Sequence, residues 1–394
     1  MKIGFITPDD LSTLIFCTQF ADALKDRDDI EMVTISSVGD FAEDLGELRT
    51  RHVPINMYRF VNPRDDLRYY WTLRKIFKEE RFDAIVTFTT KPNVLGVPAA
   101  RSAGVPFIAM AVRGLGRVFE SGQGLKNNLV NSIVRRMYAS AASTSDLVWF
   151  TNEADRAHFL GNGMVSASRT LLTRNAVNLR TYSPNRVDHE DLEALRAELR
   201  LKEDEILVVM VARLIWSKGV REFADAAAKI RNILPQARFL LVAPPEGDSP
   251  GAIPEEWIQD RVQAGNLQWF GFRKDVLTIY ALSDIAVLPS YYNEGGYPRA
   301  LLEPMALGKP VIAADTPVCR GPVAEGENGF LVRPRDTDSL VKAICRLIEN
   351  PDLRHRFGEA SLHRIRTHFD DRHVARQVID AVQSHFTTAH GEEL

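Results

Sequence analysis

The sequence predicts an α/β fold made of two Rossmann-like, doubly wound domains facing one cleft. Three observations carry that expectation. The chain has 394 residues, more than one ordinary hydrophobic core accommodates. Short apolar runs alternate with helix-period segments along most of it, the pattern of a parallel sheet covered by helices. One polar stretch without periodicity, residues 175–185 (NAVNLRTYSPN), interrupts the alternation and reads as an interdomain linker. The predicted domains are residues 1–176 and 187–369.

In chain order, residues 2–7 read as a buried first strand and 12–25 as a helix. Strands follow at 30–36 and 53–55, then a helix at 67–80. Residues 84–88 form a strand ending in a polar turn, and 107–111 another, leading into Arg113-Gly114-Leu115-Gly116. A long helix at 125–142, a strand at 147–151, a helix from 153 and a strand at 170–173 close the first domain. The second series has strands at 207–212, 239–242, 267–270, 285–288, 311–313 and 330–332. Its helices are expected at 220–233, 275–282, near 299–301 onward, and 338–349, with a helical tail over 352–386.

Composition bounds the class. Hydrophobic residues make up 45% and charged residues 26%, as in soluble globular proteins. Nothing approaches eighteen consecutive apolar residues, so no membrane span is expected. MKIGFITPDD reaches an acidic pair too early for a signal peptide. Cys17, Cys319 and Cys345 are isolated and odd in number, which suits reduced thiols in the cytoplasm rather than disulfides or zinc. Residues 1–180 carry 23 Lys+Arg against 20 Asp+Glu, leaving the rest of the chain at net −6. A basic first half permits an anionic lipid surface or acceptor there, and equally a plain solvated surface. No nucleic-acid partner is expected.

The most informative stretch is 287–313, VLPSYYNEGGYPRALLEPMALGKPVIA. An apolar strand leads into a loop of Glu294, Gly295 and Gly296, whose backbone can approach a ligand closely. Pro304 is expected within a first helical turn, where its missing N–H is no loss, which puts Glu303 in that turn too. Free backbone N–H groups beside Glu303 would suit phosphate, and its carboxylate a ribose. Upstream, Arg213 and Lys218 in VARLIWSKG stand just after the second domain's first strand, where open parallel sheets bind ligands. Two cations there suit a diphosphate.

EGGYPRALLEPMALGKPVI resembles the donor signature of the large retaining glycosyltransferase family numbered four, which has the two-domain GT-B fold. The Arg-x4-Lys pair matches as well. In that family seven residues separate two glutamates, whereas eight separate Glu294 from Glu303. Either the extra residue bulges and Glu294 keeps its role, or Gly295 takes the position and a carboxylate is lost. The resemblance implies Arg213, Lys218 and Glu294 as catalytic residues. It implies donor contacts from Glu303, Gly295, Gly296, Arg299 and Leu302, and from Gly271, Phe272 and Arg273 in a loop like the one that holds the nucleobase. Paired glycines after the first strand are replaced here by Pro8-Asp9-Asp10-Leu11.

TTKPN (89–93), RGLG (113–116) and TRNA (173–176) recur in a subgroup that builds bacterial surface polysaccharides and protein-linked glycans. There the acceptor is a sugar on a polyprenyl diphosphate. This implies acceptor-side roles for Lys91, Asn93, Arg113, Gly114 and Gly116, with Arg117 near the phosphates, although many relatives carry His or Thr at position 113. The alternative reading of the two glycines is a tight turn. The family also implies a tail, about residues 370–394, that crosses back over the first domain. The function implied is transfer of a hexose or N-acetylhexosamine from a UDP-sugar with retention, the departing phosphate taking the acceptor's proton.

No cofactor or metal is expected. Asp336-x-Asp338 reads as a helix cap rather than a manganese pair. His363, His368 and His373, five apart, do not share a helical face and are expected to be exposed. No GxGxxG follows a strand, and no hydrolase triad is evident. Residues 68–81 and 126–142 mix Arg and Lys with Tyr69, Tyr70, Trp71, Phe77, Val134 and Met137. They read either as a face on the inner side of the plasma membrane or as core-packed helices with basic outer sides. Two rival functions stay open: a UDP-sugar epimerase of the same shape, and a non-catalytic binding subunit.

Overall fold

The computed structural model describes all residues but 59–60, 114–124, 248, 250, 293–295 and 392–394, and no side chains at 125–131 or 388–391. The chain forms two compact units, Met1–Arg174 with Asp371–Leu394, and Asn175–Asp370.

Unit 1 alternates as β1 (Lys2–Asp9), α1 (Asp10–Leu24), β2 (Glu31–Ser37), β3 (Arg51–Pro54), α2 (Pro63–Glu80), β4 (Ala84–Phe88), α3 (Val97–Ala103), β5 (Phe107–Val112), α4 (Leu125–Thr144), β6 (Leu147–Phe150), α5 (Glu153–Gly161) and β7 (Thr170–Leu172). All strand pairs are parallel, in the order β3-β2-β1-β4-β5-β6-β7. Every residue of β4 and β5 is buried, as expected of a parallel strand covered on both faces. Tyr69, Leu73 and Phe77 of α2 enter the core on one side, with Val134 and Met137 of α4 packed against it. Phe5, Phe20, Phe88 and Trp149 make an aromatic cluster on the other.

Unit 2 runs α6 (His189–Leu199), β8 (Ile206–Val211), α7 (Val220–Arg231), β9 (Ala237–Val242), α8 (Glu255–Gln263), β10 (Gln268–Phe270), α9 (Val276–Leu282), β11 (Ile285–Leu288), α10 (Arg299–Ala306), β12 (Val311–Ala314), β13 (Gly329–Val332), α11 (Thr337–Ile348) and α12 (Pro351–His368). Its parallel order is β10-β9-β8-β11-β12-β13. The final helix, α13 (Asp371–Gly391), belongs to unit 1 and packs on α1.

Each sheet therefore has one place where the strand order reverses, between β1 and β4 in unit 1 and between β8 and β11 in unit 2. Ligands of doubly wound sheets bind at such switch points, beyond the strands' carboxyl ends. Asp336 caps α11 by accepting from the Ser339 N–H at 2.9 Å, and Asp338 pairs with Lys229 at 2.6 Å. His363, His368 and His373 are exposed. The expected single tail helix is instead two, broken at Phe369 and Asp370, where Asp370 bridges to Val177.

Candidate active site

At the unit 2 switch point, β8 ends at Val211 and the chain makes a single 3-10 turn, Trp216–Lys218, before Gly219 caps α7. Gly219 has φ +82°, and a Cβ there would stand 2.3 Å from the Pro289 carbonyl oxygen. Only glycine lets this turn lie against the end of β11. The Tyr291 N–H donates to Ser217 O at 2.9 Å, and the Trp216 N–H to Gly251 O at 2.9 Å. The turn carrying Lys218 is thus laced to the loops after β11 and β9.

This lacing brings the two sequence-predicted cations onto one ring. The Arg213 guanidinium carbon lies 5.1 Å and Lys218 Nζ 4.9 Å from the centroid of Tyr292. Arg213 also approaches Glu246, in the loop after β9, at 3.8 Å. Tyr292 and Glu246 were not singled out from the sequence. The first stood in plain sight in PSYYNEGG, but a tyrosine beside a glycine-rich loop announces no chemistry.

Helix α10 begins at Arg299, after Pro298, where the sequence placed it. The register expected for Pro304 is corrected. Pro304 sits on the second turn, and so does Glu303, away from the free N–H groups of the helix start. An interior proline costs a helix about 3 kcal/mol, partly by orphaning the carbonyl four residues back. That carbonyl, of Ala300, accepts instead from the buried Tyr280 hydroxyl at 3.4 Å. Glu303 is 7% exposed and accepts from Arg299 Nε at 2.8 Å. Tyr182 hydrogen-bonds with both, and burial, followed by the Glu303 charge, pushes its phenol well above the usual range. Tyr182 comes from the linker, where aperiodic sequence gave no signal for it.

Leu302 was expected as a donor contact. Its side chain is 0% exposed in the core and its N–H is taken by Pro298 O. Gly296, at φ +148°, admits the Asn175 amide, which donates to Tyr297 O at 3.0 Å. Glu294 and Gly295 lie outside the described residues. After β10, Phe272 is exposed. The Arg273 side chain is committed, to Asp275 at 2.6 Å and Glu198 at 2.7 Å, and those carboxylates raise its pKa further.

Unit 1's switch point is built differently. Asp9 caps α1, and the Asp10 carboxylate accepts from the N–H groups of Leu11, Gly39 and Phe41 at 2.8, 2.5 and 3.0 Å. After β4, Thr89 adopts φ +68°, rare for a β-branched residue, and a π-turn follows at Pro92–Gly96. Lys91 donates to Asp66 at 2.6 Å and to Tyr58 O at 2.5 Å, so it ties this turn to α2. Asn93 is 0% exposed, donating to Ala111 O and Tyr138 Oη at 2.9 Å and accepting from Thr87 at 2.7 Å. Both were expected on the acceptor side, and in the structure their polar atoms hold the scaffold. Arg113 lies over Phe16 and Trp149, at 4.7 and 5.8 Å, and the Trp149 indole donates to Thr173 at 2.7 Å. Gly114, Gly116 and Arg117 lie outside the described residues.

Two doubly wound parallel sheets, with two cations gathered at the second one's switch point, are the build of the GT-B glycosyltransferases. Residues 191–364 match the model for glycosyl transferases group 1, and residues 16–176 that for a glycosyl transferase 4-like domain. The chain carries these two glycosyltransferase domains and is a glycosyltransferase, as the 294–312 stretch implied. It is similar, at 29% identity over 90% of this chain and 91% of the other, to the N,N'-diacetylbacillosaminyl-diphospho-undecaprenol alpha-1,3-N-acetylgalactosaminyltransferase of Campylobacter jejuni. It is also 29% identical to the UDP-Gal:alpha-D-GlcNAc-diphosphoundecaprenol alpha-1,3-galactosyltransferase of Escherichia coli, over 80% and 78% of the two chains. Among solved structures, Anabaena HepE in complex with UDP-glucose shares the fold, with TM-score 0.78 and 21% identity over 98% of this chain and 100% of that one.

Proposed function

We propose that the chain is a retaining glycosyltransferase that moves a hexose or N-acetylhexosamine from a UDP-sugar to a sugar on a polyprenyl diphosphate, in bacterial polysaccharide or glycan assembly. The observation that carries this is the meeting of Arg213 and Lys218 at the β8/β11 switch point. On this reading unit 2 takes the nucleotide sugar and unit 1 the acceptor. As the bond between the anomeric carbon and the diphosphate breaks, its electron pair goes to UDP, and Arg213 and Lys218 neutralise that charge. The acceptor hydroxyl forms the new bond on the same face and gives its proton to the departing phosphate. Glu303, fixed by Arg299 and Tyr182, holds the ribose. Glu294 and the Gly295–Gly296 backbone orient the sugar. No metal or other cofactor takes part.

The inner face of the plasma membrane is the place of action on this reading. Among the described residues no helix is long and apolar enough to cross a membrane. The outward side of α2 carries Arg64, Arg68, Lys75 and Lys78 around two exposed apolar residues, Leu67 (59%) and Trp71 (54%). The core side of the same helix holds Tyr69, Leu73 and Phe77, so core packing leaves Trp71 unexplained. Such a face suits anionic lipid headgroups. Trp71→Ala should weaken co-sedimentation with anionic vesicles, and an unchanged bound fraction would remove this contact.

The central test is UDP release from a panel of UDP-sugars, with and without a polyprenyl-diphosphate-linked sugar. Acceptor-dependent release with one donor is expected. Conversion of the donor without any acceptor would mean an epimerase, and UDP binding without turnover on any acceptor would mean a binding subunit.

A further inference from the structure

We infer that Tyr182 is a positioning residue: with Arg299, its hydroxyl sets the Glu303 carboxylate to take the two ribose hydroxyls of the donor, so that the site selects ribonucleotides over their deoxy counterparts. The inference rests on the ribose reading of Glu303. That residue is 7% exposed and stands on α10, the helix that follows β11 at the unit 2 switch point. Two groups grip its carboxylate. Arg299 Nε, one helical turn earlier, donates to Oε1 at 2.8 Å. The Tyr182 hydroxyl donates to the same carboxylate and accepts from the Arg299 guanidinium, which closes a cluster of three side chains.

Stability alone gives little reason for such a cluster. Taking a carboxylate out of water offsets much of what its ion pair returns, and apolar side chains of the same volume often do as well. Placement of the carboxylate is the better account. A carboxylate has room for about four hydrogen bonds, so Arg299 and Tyr182 leave acceptor positions for a vicinal diol. Both contacts persist when the diol arrives. Without the hydroxyl the carboxylate pivots on Arg299 alone, and ordering it again weakens binding.

Tyr182 is itself anchored. Its N–H donates to Asn178 O at 2.8 Å, in a turn where Asn178 Oδ1 accepts from the Arg180 and Thr181 N–H groups, both at 2.9 Å. Its ring packs on the unit 2 core. A second phenol, Tyr280, serves the backbone of the same helix through Ala300 O. One tyrosine thus supports the helix, and the other the carboxylate that the helix presents.

The test titrates UDP and 2′,3′-dideoxy-UDP, which lacks both hydroxyls, into the parent, Tyr182→Phe and Glu303→Gln by calorimetry, with thermal melting as a check on folding. The parent should bind UDP at least about tenfold more tightly than the dideoxy compound, the scale of one charge-assisted hydrogen bond. Tyr182→Phe should bind UDP roughly three- to tenfold more weakly than the parent, and dideoxy-UDP within about twofold of it. The proposal is overturned if Tyr182→Phe keeps the parent's UDP affinity, or if it loses both ligands equally, as a merely structural role would require. Glu303→Gln separates the two levels. If it narrows the preference while Tyr182→Phe does not, the hydroxyl is idle and the ribose reading stands. If the parent shows no preference, or Glu303→Gln retains it in full, the ribose reading itself falls, and this inference with it.

Discussion

The two switch points offer the same topology and opposite chemistry. In unit 1 the loops after β1 and β4 are satisfied from within: Asp10 takes three backbone N–H groups, Lys91 is paired with Asp66, and Asn93 is buried in hydrogen bonds. In unit 2 the loops after β8 and β11 bring Arg213 and Lys218 onto a neutral ring. A lysine or arginine just past a parallel strand is therefore no sign of a ligand site by itself. What differs is how closely a carboxylate stands: Asp66 at 2.6 Å from Lys91, Glu246 at 3.8 Å from Arg213.

Four substitutions probe that contrast, from the largest effect to the smallest. Arg213→Ala should cut transfer about 100-fold or more, the scale for losing one charge-stabilising group, with an unchanged melting temperature. Near-normal turnover would erase the distinction between the two units. Gly219→Ala should hit fold and activity together, because the added Cβ meets Pro289 O at 2.3 Å in a left-handed backbone. A loss of about 2–3 kcal/mol in urea unfolding is expected, above the cost of the φ angle alone. Lys91→Ala should do the converse of Arg213→Ala. It leaves Asp66, 20% exposed, without its cation and should lower stability by about 1–2 kcal/mol, between surface and buried pairs. Turnover per folded molecule should change less than about twofold against the about 100-fold above.

The smallest effect is a pH dependence in unit 1. Hydrogen bonds from Arg51 and then Lys2 hold the Glu80 carboxyl down at about 2, against an ordinary 4.5. A depressed folded-state pKa means stability that is fully present above 4.5 and is lost as pH falls toward about 2. The pair lies near the surface, so the amount is below about 1 kcal/mol. Urea midpoints at pH 6 and pH 3 should differ less for Glu80→Gln than for the parent, and equal differences would show that Glu80 contributes nothing.

Most of the architecture was legible because parallel strands announce themselves as short apolar runs. Two of the helices that escaped have little core to report. Residues 255–263 form α8 around one buried side chain, Ile258, and α6 buries only Leu195 and Leu199. Arg213 and Lys218 were legible from their place after a strand, and their spacing matched a known family. The partners of Lys91 and Asn93 were not legible because Asp66, Ala111 and Tyr138 are 18 to 45 positions away. The register of α10 was missed because nothing local shows that Tyr280 will serve the carbonyl that Pro304 orphans.

The most direct measurement is a UDP titration of Arg213→Ala and Lys91→Ala side by side with the parent. Arg213→Ala should lose at least about tenfold in affinity, the scale of one charge-assisted hydrogen bond, while Lys91→Ala stays at the parent value. Equal losses, or a loss confined to Lys91→Ala, would contradict the account.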